Sequence, residues 1–518
     1  MHTAAAAANE RLVAGWLSEQ ENRTLAAICA TFFPVLTPPE GCSPEVAAYY
    51  ERDASSLHLP LLIAETLGRE DEAQKADFHT LLALLAQPAV TLLLVGRARS
   101  FADLALPVRE RYLLRMANSP VARLRQGFQA LKRLCGFLYF SVPDPSGVNP
   151  NWKVLDYSLP TRPAAPLAPH ALVPEKISRD TTLECDVVVV GSGAGGGVIA
   201  GELACAGKQV IVLEQGSYVN EQAMSVREAE GMSELYLKHG LLSSSDLGVV
   251  LLAGRGLGGG TVVNWTTALR TPPDVLQEWQ QRSGLSLFTE PALNASFASV
   301  EQRLGVNLQN SAHNRQNQVL YEGARALGYH SEALPRNAQG CEQRCGTCGF
   351  GCRYGCKQST TRTYLQGAYE HGARLLTHCT VHKVVLKQGR AVGVEAVVND
   401  PEQGGSRQIT VHARAVVIAG GALHTPAVLL RSGLTHEHIG RHLHLHPTTT
   451  ISGVYPEKIQ AWEGVMQSAY SREFAHLSDN YGYTLEVPPA HPGLFGLSTP
   501  WTGAQAYRDD MLRVAHNA

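Results

Sequence analysis

The sequence predicts an α/β protein with a helical N-terminal extension. Three observations support this prediction. Apolar residues recur at helical spacing through residues 10–142, a strand–turn–helix–strand pattern lies in residues 181–215, and a β-rich region follows residue 375. The chain has 518 residues, enough for about three domains. A hydrophobic content of 44% with 17% charged residues is typical of an ordered globular protein.

The composition gives no support to some classes of function. A formal net charge of −2, without any run of Lys or Arg, gives no reason to expect nucleic acid as a partner. No basic segment before an apolar stretch opens the sequence, so we predict no secretory signal. Eleven cysteines without such a signal indicate a reducing compartment, and we expect a cytoplasmic protein.

One uncharged apolar run, residues 81–96, needs its own interpretation. It is shorter than the roughly 20 residues of a membrane-spanning helix, and Pro88 interrupts it. We expect a buried helix pair. Peripheral contact with a membrane is the alternative, and it would make the protein membrane-associated.

The N-terminal region is predicted to end at a proline-rich connector. Helical spacing is clearest at Leu25, Ile28, Cys29 and Phe32. Eight prolines then fall between positions 143 and 174. Such a stretch cannot hold a helix, so we place a domain boundary there.

A dinucleotide-binding unit follows. The apolar run 187–190 enters a glycine-rich turn, and a second apolar run ends on Glu214. Gly191 permits the turn, Gly193 lets the backbone approach a pyrophosphate, and Gly196 lets the helix pack against the strand. The helix N-terminus supplies N–H groups for the phosphates, and Glu214 is placed to bind a ribose. A glycine-rich loop in another kind of α/β unit is the alternative.

A second glycine cluster spans residues 254–261. Its three consecutive glycines, 258–260, would let the main chain lie against a planar or phosphate ligand. Arg255 is suited to neutralise a phosphate, and Asn264 to hydrogen-bond a flavin or the pyrophosphate. A flexible surface loop is the alternative interpretation.

A third cluster begins at Gly420. It follows an apolar run, 415–418, that is expected to form a buried strand. Thr425 suits the N-cap of the next helix and Pro426 its first position. This helix would aim a further N-terminus at the cofactor.

The pattern also predicts the elements around these clusters. We expect helices at 221–240, 274–284, 291–304 and 314–327, and strands at 375–386, 391–398 and 409–418.

The second and third clusters, together with the dinucleotide unit, resemble the signatures of the glucose–methanol–choline (GMC) oxidoreductases, which bind FAD and oxidise alcohols. The sequence departs from these signatures at Thr271 and Thr435. Within the family the chain resembles the long-chain alcohol oxidases from about residue 20 onward. This likeness includes the N-terminal extension and the segments 345–358, 443–447, 462–464 and 491–493.

The resemblance implies a Rossmann-like FAD-binding domain, an α+β substrate domain and the helical extension. The expected parts are the extension (1–142), the connector (143–180), the FAD-binding domain (181–275 and 375–435), a helical, cysteine-rich insertion (276–374) and the start of the substrate domain (436–518). The expected FAD-binding residues are Gly191, Ser192, Gly193, Ala194, Gly195, Gly196, Glu214, Gln215, Arg255, Gly258, Gly259, Gly260, Asn264, Val381 and Gly420.

The resemblance stops short of the catalytic segment. The family carries its base in a segment of the type H-x-x-G-T/S-C-R-M-G, which the sequence lacks. We therefore assign no catalytic residue and expect a fragment, the alternative being a second polypeptide that completes the site. His516 lacks this motif and is expected to be a frayed C-terminal residue.

Two further groups have the residue types of metal ligands. Five cysteines between positions 341 and 356 are spaced so that they could hold an iron–sulfur cluster or zinc, and buried thiols or a local disulfide are the alternative. His442, His444 and His446 alternate and would share one face of a strand. The matching family segment serves the substrate domain without metal, so we expect no metal there.

The resemblance implies FAD-dependent oxidation of a primary, long-chain alcohol to the aldehyde, with dioxygen giving hydrogen peroxide. The partner would be a small-molecule or lipid-like alcohol. Three alternatives stay open. They are a dehydrogenase that passes electrons to a respiratory acceptor, a lyase on the same fold, and an inactive flavin-binding remnant.

Overall fold

The N-terminal layer is helical, as predicted. The structure, a computed structural model, describes residues 14–160, 172–402, 404–479 and 481–518. The first helix begins with a capping box, in which Ser18 and Glu21 satisfy each other's backbone N–H groups. In the described residues up to 141 the α-helices are α1 (Glu19–Phe32), α2 (Pro44–Glu51), α3 (Leu59–Gly68), α4 (Glu72–Ala86), α5 (Pro88–Val95), α6 (Leu106–Ala117) and α7 (Ala122–Ser141).

The predicted buried helix pair is α4 and α5, and the prediction is wrong for α5. The chain bends by 64° between them at Pro88, whose missing N–H and ring end the first helix. Helix α4 buries one face, which includes Leu82 and Leu85. Helix α5 buries only Thr91 and leaves Leu92 and Leu93 on the surface. Among the described residues no single helix is long and apolar enough to span a membrane, whereas this bent pair reaches that length and composition together.

The first part of the predicted connector is packed rather than extended. Trp152, Leu155 and Tyr157 are buried in the core of the helical layer. Asn149 and Trp152 donate to carbonyls at the end of α7, including that of Phe140, which receives the indole N–H at 2.8 Å. These side chains cap the helix and hold the connector against it. Residues 161–171 of the connector lie outside the described residues.

A six-stranded mixed sheet forms the centre of the molecule. Its strand order is β4-β2-β1-β7-β6-β5, in which β4, β2, β1 and β7 are parallel and the β5-β6-β7 edge is antiparallel. A smaller antiparallel sheet has the order β3-β8-β9. The strands are β1 (Thr181–Val190), β2 (Val210–Leu213), β3 (Glu332–Ala333), β4 (Arg374–Leu376), β5 (Cys379–Lys387), β6 (Arg390–Val398), β7 (Arg407–Ile418), β8 (Ala469–Ser471) and β9 (Leu485–Glu486).

Apolar residues bury both faces of the large sheet. Val188 faces one core and Val189 the other, as period-two alternation requires. The single strand expected at 375–386 is two strands, because His378 adopts a left-handed φ of 54° and breaks the pairing. Residues 442–446, whose alternating histidines would share one face on a strand, are exposed and irregular.

The remaining helices follow the sequence pattern with two differences. The helix at 291–304 is confirmed in full. The helix expected at 221–240 is α-helical only at 228–235. Short 3-10 turns lie at 221–223 and 237–240, and positive φ at Lys238 and His239 prevents the α-helix from reaching residue 240. The third cluster's helix begins at Gly421 and contains Pro426, so the predicted N-cap at Thr425 is wrong. The helices are α8 (Ala194–Cys205), α9 (Glu228–Leu235), α10 (Gly260–Val263), α11 (Pro273–Ser283), α12 (Pro291–Leu304), α13 (Arg315–Ala326), α14 (Tyr364–Glu370), α15 (Gly421–Arg431), α16 (Pro492–Ser498) and α17 (Ala504–Met511).

Helix α17 packs the C-terminal region against the N-terminal helices, and the buried side chain of Arg508 stabilises this contact. Arg508 is 0% exposed and donates to the main-chain carbonyls of Tyr49 and Arg52. Its guanidinium also lies 4.7 to 5.3 Å from the ring centroids of Phe33, Tyr49 and Tyr139. The extension and the C-terminal segment therefore share one core.

We predict that Arg508→Met lowers the free energy of unfolding by about 2–4 kcal/mol, because two buried carbonyls lose charge-assisted donors. Chemical denaturation measures the loss. The matched control is Arg513→Met, whose side chain is half-exposed and whose effect should stay within about 0.5 kcal/mol. Equal midpoints for the two variants would contradict the role given to Arg508.

Candidate cofactor site

The site forms where the four parallel strands end. Strands β1, β2, β4 and β7 end at Val190, Leu213, Leu376 and Ile418, at one edge of the sheet. The turns that follow these strands therefore meet, and this edge is where open α/β sheets bind their ligands.

Two glycines of the first turn are required by the protein's own packing. Gly191 has φ 95°, and a Cβ placed on it would lie 2.5 Å from the carbonyl oxygen of Ala419. A Cβ on Gly196 would lie 1.9 Å from the carbonyl oxygen of Gly191. These distances support the roles that the sequence predicted, namely a tight turn and close packing of α8 on β1.

Other glycines face open space instead. A Cβ on Gly193, Gly195 or Gly260 would meet no atom within 4 Å. Gly193 is the N-cap of α8, and Ala194 and Gly195 in its first turn are exposed. The N–H groups at this helix end are therefore accessible to an anion, and the missing side chains leave room for it.

The three predicted glycine clusters come together. A Cβ on Gly259 would lie 3.0 Å from the Cα of Gly193, which places the second cluster against the first. A Cβ on Gly191 would lie 3.1 Å from the Cα of Gly420, which places the third cluster beside the first. The surface-loop alternative for the second cluster is therefore wrong.

A buried hydrogen-bond group fixes these turns. The Ser192 hydroxyl donates to Glu214 Oε2 at 2.6 Å and accepts the N–H of Gly258 at 3.0 Å. The Ser192 N–H also donates to Glu214 Oε2, at 3.2 Å, and the Gly216 N–H donates to Oε1 at 2.9 Å. A carboxylate accepts about four hydrogen bonds, so Oε1 keeps an acceptor position for a ribose hydroxyl.

The other predicted residues take varied positions. Arg255 and Asn264 are exposed beside the second cluster, and Gln215 is half-buried directly after Glu214. The Val381 side chain lies in the apolar core, so a contact with a cofactor there would come from its main chain. That these residues bind FAD stays a prediction.

His424 lies at the site, although the sequence analysis did not identify it. It lies in the first turn of α15, and a Cβ on Gly420 would come within 3.3 Å of the His424 Cβ. Its Nε2 is buried without a hydrogen-bond partner among the described residues. Burial lowers the pKa of this imidazole. A buried ring nitrogen without a partner at this edge of the sheet fits a bound group that supplies one.

Two further residues, which the sequence reasoning did not identify, stabilise the glycine clusters through hydrogen bonds. Thr360 donates to the Ser192 carbonyl at 3.3 Å and shares a hydrogen bond with Thr261 at 3.1 Å. The buried Lys357 ammonium donates to the carbonyls of Val262, Asn264 and Cys348, each at 2.6 Å. Burial lowers the pKa of Lys357 to about 8. The run 359–363, which is rich in Ser and Thr, was the sequence feature from which the role of Thr360 could have been predicted.

The cysteine segment 341–356, which carries five cysteines, contacts the site because its Cys348 carbonyl accepts a hydrogen bond from Lys357. Hydrogen bonding to Cys356 lowers the pKa of the Cys341 thiol to about 6 and that of Cys352 to about 5, and the same contacts raise the pKa of Cys356. All five cysteines are free thiols. Among the described residues no three His, Cys, Asp or Glu side chains are grouped as a metal ion would require.

The C-terminal histidine is not frayed, contrary to expectation. His516 Nδ1 lies 3.1 Å from the carbonyl oxygen of Tyr455 and 3.0 Å from that of Glu457. An antiparallel bridge pairs Val454 with Asn517, and Ala515 is buried. These contacts order residues 514–518 and occupy the ring nitrogen, so the geometry gives His516 a structural role.

Comparison with known proteins decides the family. The GMC oxidoreductase family model matches residues 232–448, and the FAD binding domain model matches residues 186–239. The long-chain-alcohol oxidase FAO3 of Arabidopsis thaliana is 32% identical over 96% of this chain and 75% of that protein. The chain belongs to the GMC oxidoreductase family.

Other relatives support the same family. The long-chain-alcohol oxidase FAO4A of Arabidopsis thaliana is 31% identical over 96% of this chain and 78% of that protein. The GMC-type oxidoreductase Rv0492c of Mycobacterium tuberculosis is 37% identical over 62% of this chain and 51% of that protein. This GMC oxidoreductase is thus an FAD-dependent enzyme that acts on CH–OH groups, which confirms the predicted cofactor and family.

The residues at the sheet edge fit FAD. The open faces of Gly193 and Gly260 leave space for the diphosphate at the N-terminus of α8. The free acceptor position of Glu214 suits the adenosine ribose, and the unpartnered Nε2 of His424 beside Gly420 leaves a polar atom for a bound group.

A pair of alanine substitutions should separate packing from cofactor binding. Gly196→Ala should destabilise the protein by about 2 kcal/mol, because its methyl group meets backbone. Gly193→Ala should leave the stability of the cofactor-free protein unchanged and weaken FAD binding at least about tenfold, because its methyl group enters the space left for phosphate. Thermal melts and titration of flavin fluorescence measure the two effects. Destabilisation by Gly193→Ala with unaltered FAD affinity would contradict this division.

Glu214→Gln should weaken FAD binding about 10- to 100-fold, since a carboxylate hydrogen bond of about 1.5–3 kcal/mol is lost. The introduced amide would also turn a donor toward the N–H of Ser192 or Gly216. The control is Glu184→Gln, an exposed residue on β1. If both variants bind FAD as tightly as the unmodified chain, Glu214 does not bind the cofactor.

Proposed function

We propose that this GMC oxidoreductase oxidises primary, long-chain alcohols to aldehydes and passes the electrons to dioxygen. In balanced form, R-CH2OH + O2 gives R-CHO + H2O2. The observation that carries the proposal is the convergence of three glycine turns at the sheet edge that holds the buried Glu214 carboxylate, because this arrangement suits FAD. Two relatives aligned over 96% of the chain are named long-chain-alcohol oxidases, which supports the substrate class.

The chain's own residues bind and orient the cofactor, which when bound accepts a hydride from the alcohol carbon. Glu214, held in place by the Ser192 hydroxyl, would bind the adenosine ribose, and the N-terminus of α8 would bind the diphosphate. Lys357 donates to the carbonyls of Val262 and Asn264, which would keep the second cluster in shape to contact the cofactor. The hydroxyl proton must go to a base, and no residue of the chain is assigned that role.

We also propose a reducing compartment such as the cytoplasm. The eleven cysteines are all free thiols, five of them in one segment. Such thiols persist where disulfides do not form.

The proposed activity predicts a chain-length trend. Each added methylene that enters an apolar pocket contributes about 0.8 kcal/mol, so kcat/KM should rise about fourfold per methylene until the pocket is filled. Oxygen consumption and peroxide release by the FAD-loaded chain measure this with a series of primary alcohols.

The same series tests the acceptor. We expect one peroxide released for each dioxygen consumed. Anaerobic bleaching of the flavin by alcohol, without oxygen uptake in air, would instead indicate a dehydrogenase. A flavin that no primary alcohol bleaches would contradict alcohol oxidation itself.

A further inference from the structure

Helix α5 presents an apolar face to solvent. Pro88, Ala89, Leu92, Leu93 and Gly96 are all exposed, and their spacing places them on one side of the helix. The exposed fraction is 51% for Leu92 and 83% for Leu93. A surface helix of a globular protein places polar residues on this side, and α5 has none there.

The opposite side of α5 fixes the helix to the protein. Thr91 is fully buried, and its hydroxyl donates to the Gln87 carbonyl at 3.3 Å. Val90 and Leu94 pack against the helical core. The Arg115 guanidinium of α6 donates to the Leu94 carbonyl at 2.5 Å. The apolar face is therefore held outward by a supported helix.

Arginines lie next to this face, directly after α5 and on the neighbouring helix α6. Arg97 and Arg99 follow the helix directly and are exposed, as are Arg111 and Arg115 on one side of α6. Residues 88–125 contain seven arginines and two acids, a net +5 in a chain of net −2. The acids are engaged elsewhere, since Asp103 pairs with Arg23 at 3.0 Å and Glu110 accepts the N–H of Ala504 at 2.7 Å.

We propose that α5 docks this protein on the surface of a bilayer that contains anionic lipids. Leu92 and Leu93 would enter the boundary between headgroups and acyl chains, and the neighbouring arginines would contact anionic headgroups. The apolar face and the positive charge match the two properties of such a surface. The inference does not rest on the proposed alcohol substrate, although docking would place the enzyme beside alcohols dissolved in the membrane.

The test is flotation of the FAD-loaded full chain with vesicles. We expect binding to vesicles of phosphatidylcholine and phosphatidylglycerol in a two-to-one mixture, weaker binding to phosphatidylcholine alone, and weakening by salt. The double variant Leu92→Asp, Leu93→Asp should lose at least about tenfold in affinity. Arg97→Glu with Arg99→Glu should lose at least about fivefold.

The control is Leu327→Asp, since Leu327 is 72% exposed at the end of α13. It should bind vesicles as the unmodified chain does. All variants change exposed positions, and their melting temperatures should stay close to that of the unmodified chain. Unchanged vesicle binding by the leucine double variant, or no binding of the unmodified chain to the mixed vesicles at low salt, would overturn the proposal. So would a dimer in solution that the leucine double variant converts to a monomer, because a second copy would then cover the face.

Discussion

The buried hydrogen bond between Ser192 and Glu214 is the constraint on which the cofactor site depends. It joins the turn after β1 to the end of β2, and the same hydroxyl accepts the N–H of Gly258 from the second cluster. Three segments distant in sequence thus meet at one buried hydroxyl and the carboxylate to which it donates. A buried carboxylate is stable only when its acceptor positions are filled. The protein supplies three donors to it and leaves a position for the cofactor ribose.

A series of buried polar contacts connects this site to the helical layer. The Tyr157 hydroxyl lies 3.2 Å from His491 Nδ1, and His491 Nε2 lies 2.9 Å from the Gly346 carbonyl oxygen of the cysteine segment. Burial lowers the pKa of His491 to about 4, so the ring is neutral at physiological pH. The cysteine segment in turn meets the Lys357 ammonium, which holds the second cluster through the Val262 carbonyl. The connector, which packs in the core of the helical layer, therefore reaches the cofactor site through the cysteine segment.

Local patterns in the sequence predicted the parallel sheet, the glycine turns and the ribose carboxylate, because each depends on residues near one another in the chain. Contacts between distant segments were beyond such reasoning. Neither the partners of Lys357 nor the open nitrogen of His424 has a local signature. The solvent exposure of α5 could not be predicted either. Its apolar residues give the same sequence pattern whether they are buried or exposed, and only the three-dimensional packing shows that Leu93 faces solvent. Pro426 within α15 shows that a helix start can precede its expected capping residue when tertiary packing favours it.

The central claim is that the three turns bind the adenosine diphosphate half of FAD. The most direct test compares FAD with FMN, which has the same flavin but lacks the adenosine monophosphate half. Binding of each to the cofactor-free chain is followed by quenching of flavin fluorescence. We expect FAD to bind at least about a hundredfold more tightly, because FMN cannot reach Glu214 while its ring occupies the flavin position. Equal affinity for the two flavins would contradict the account.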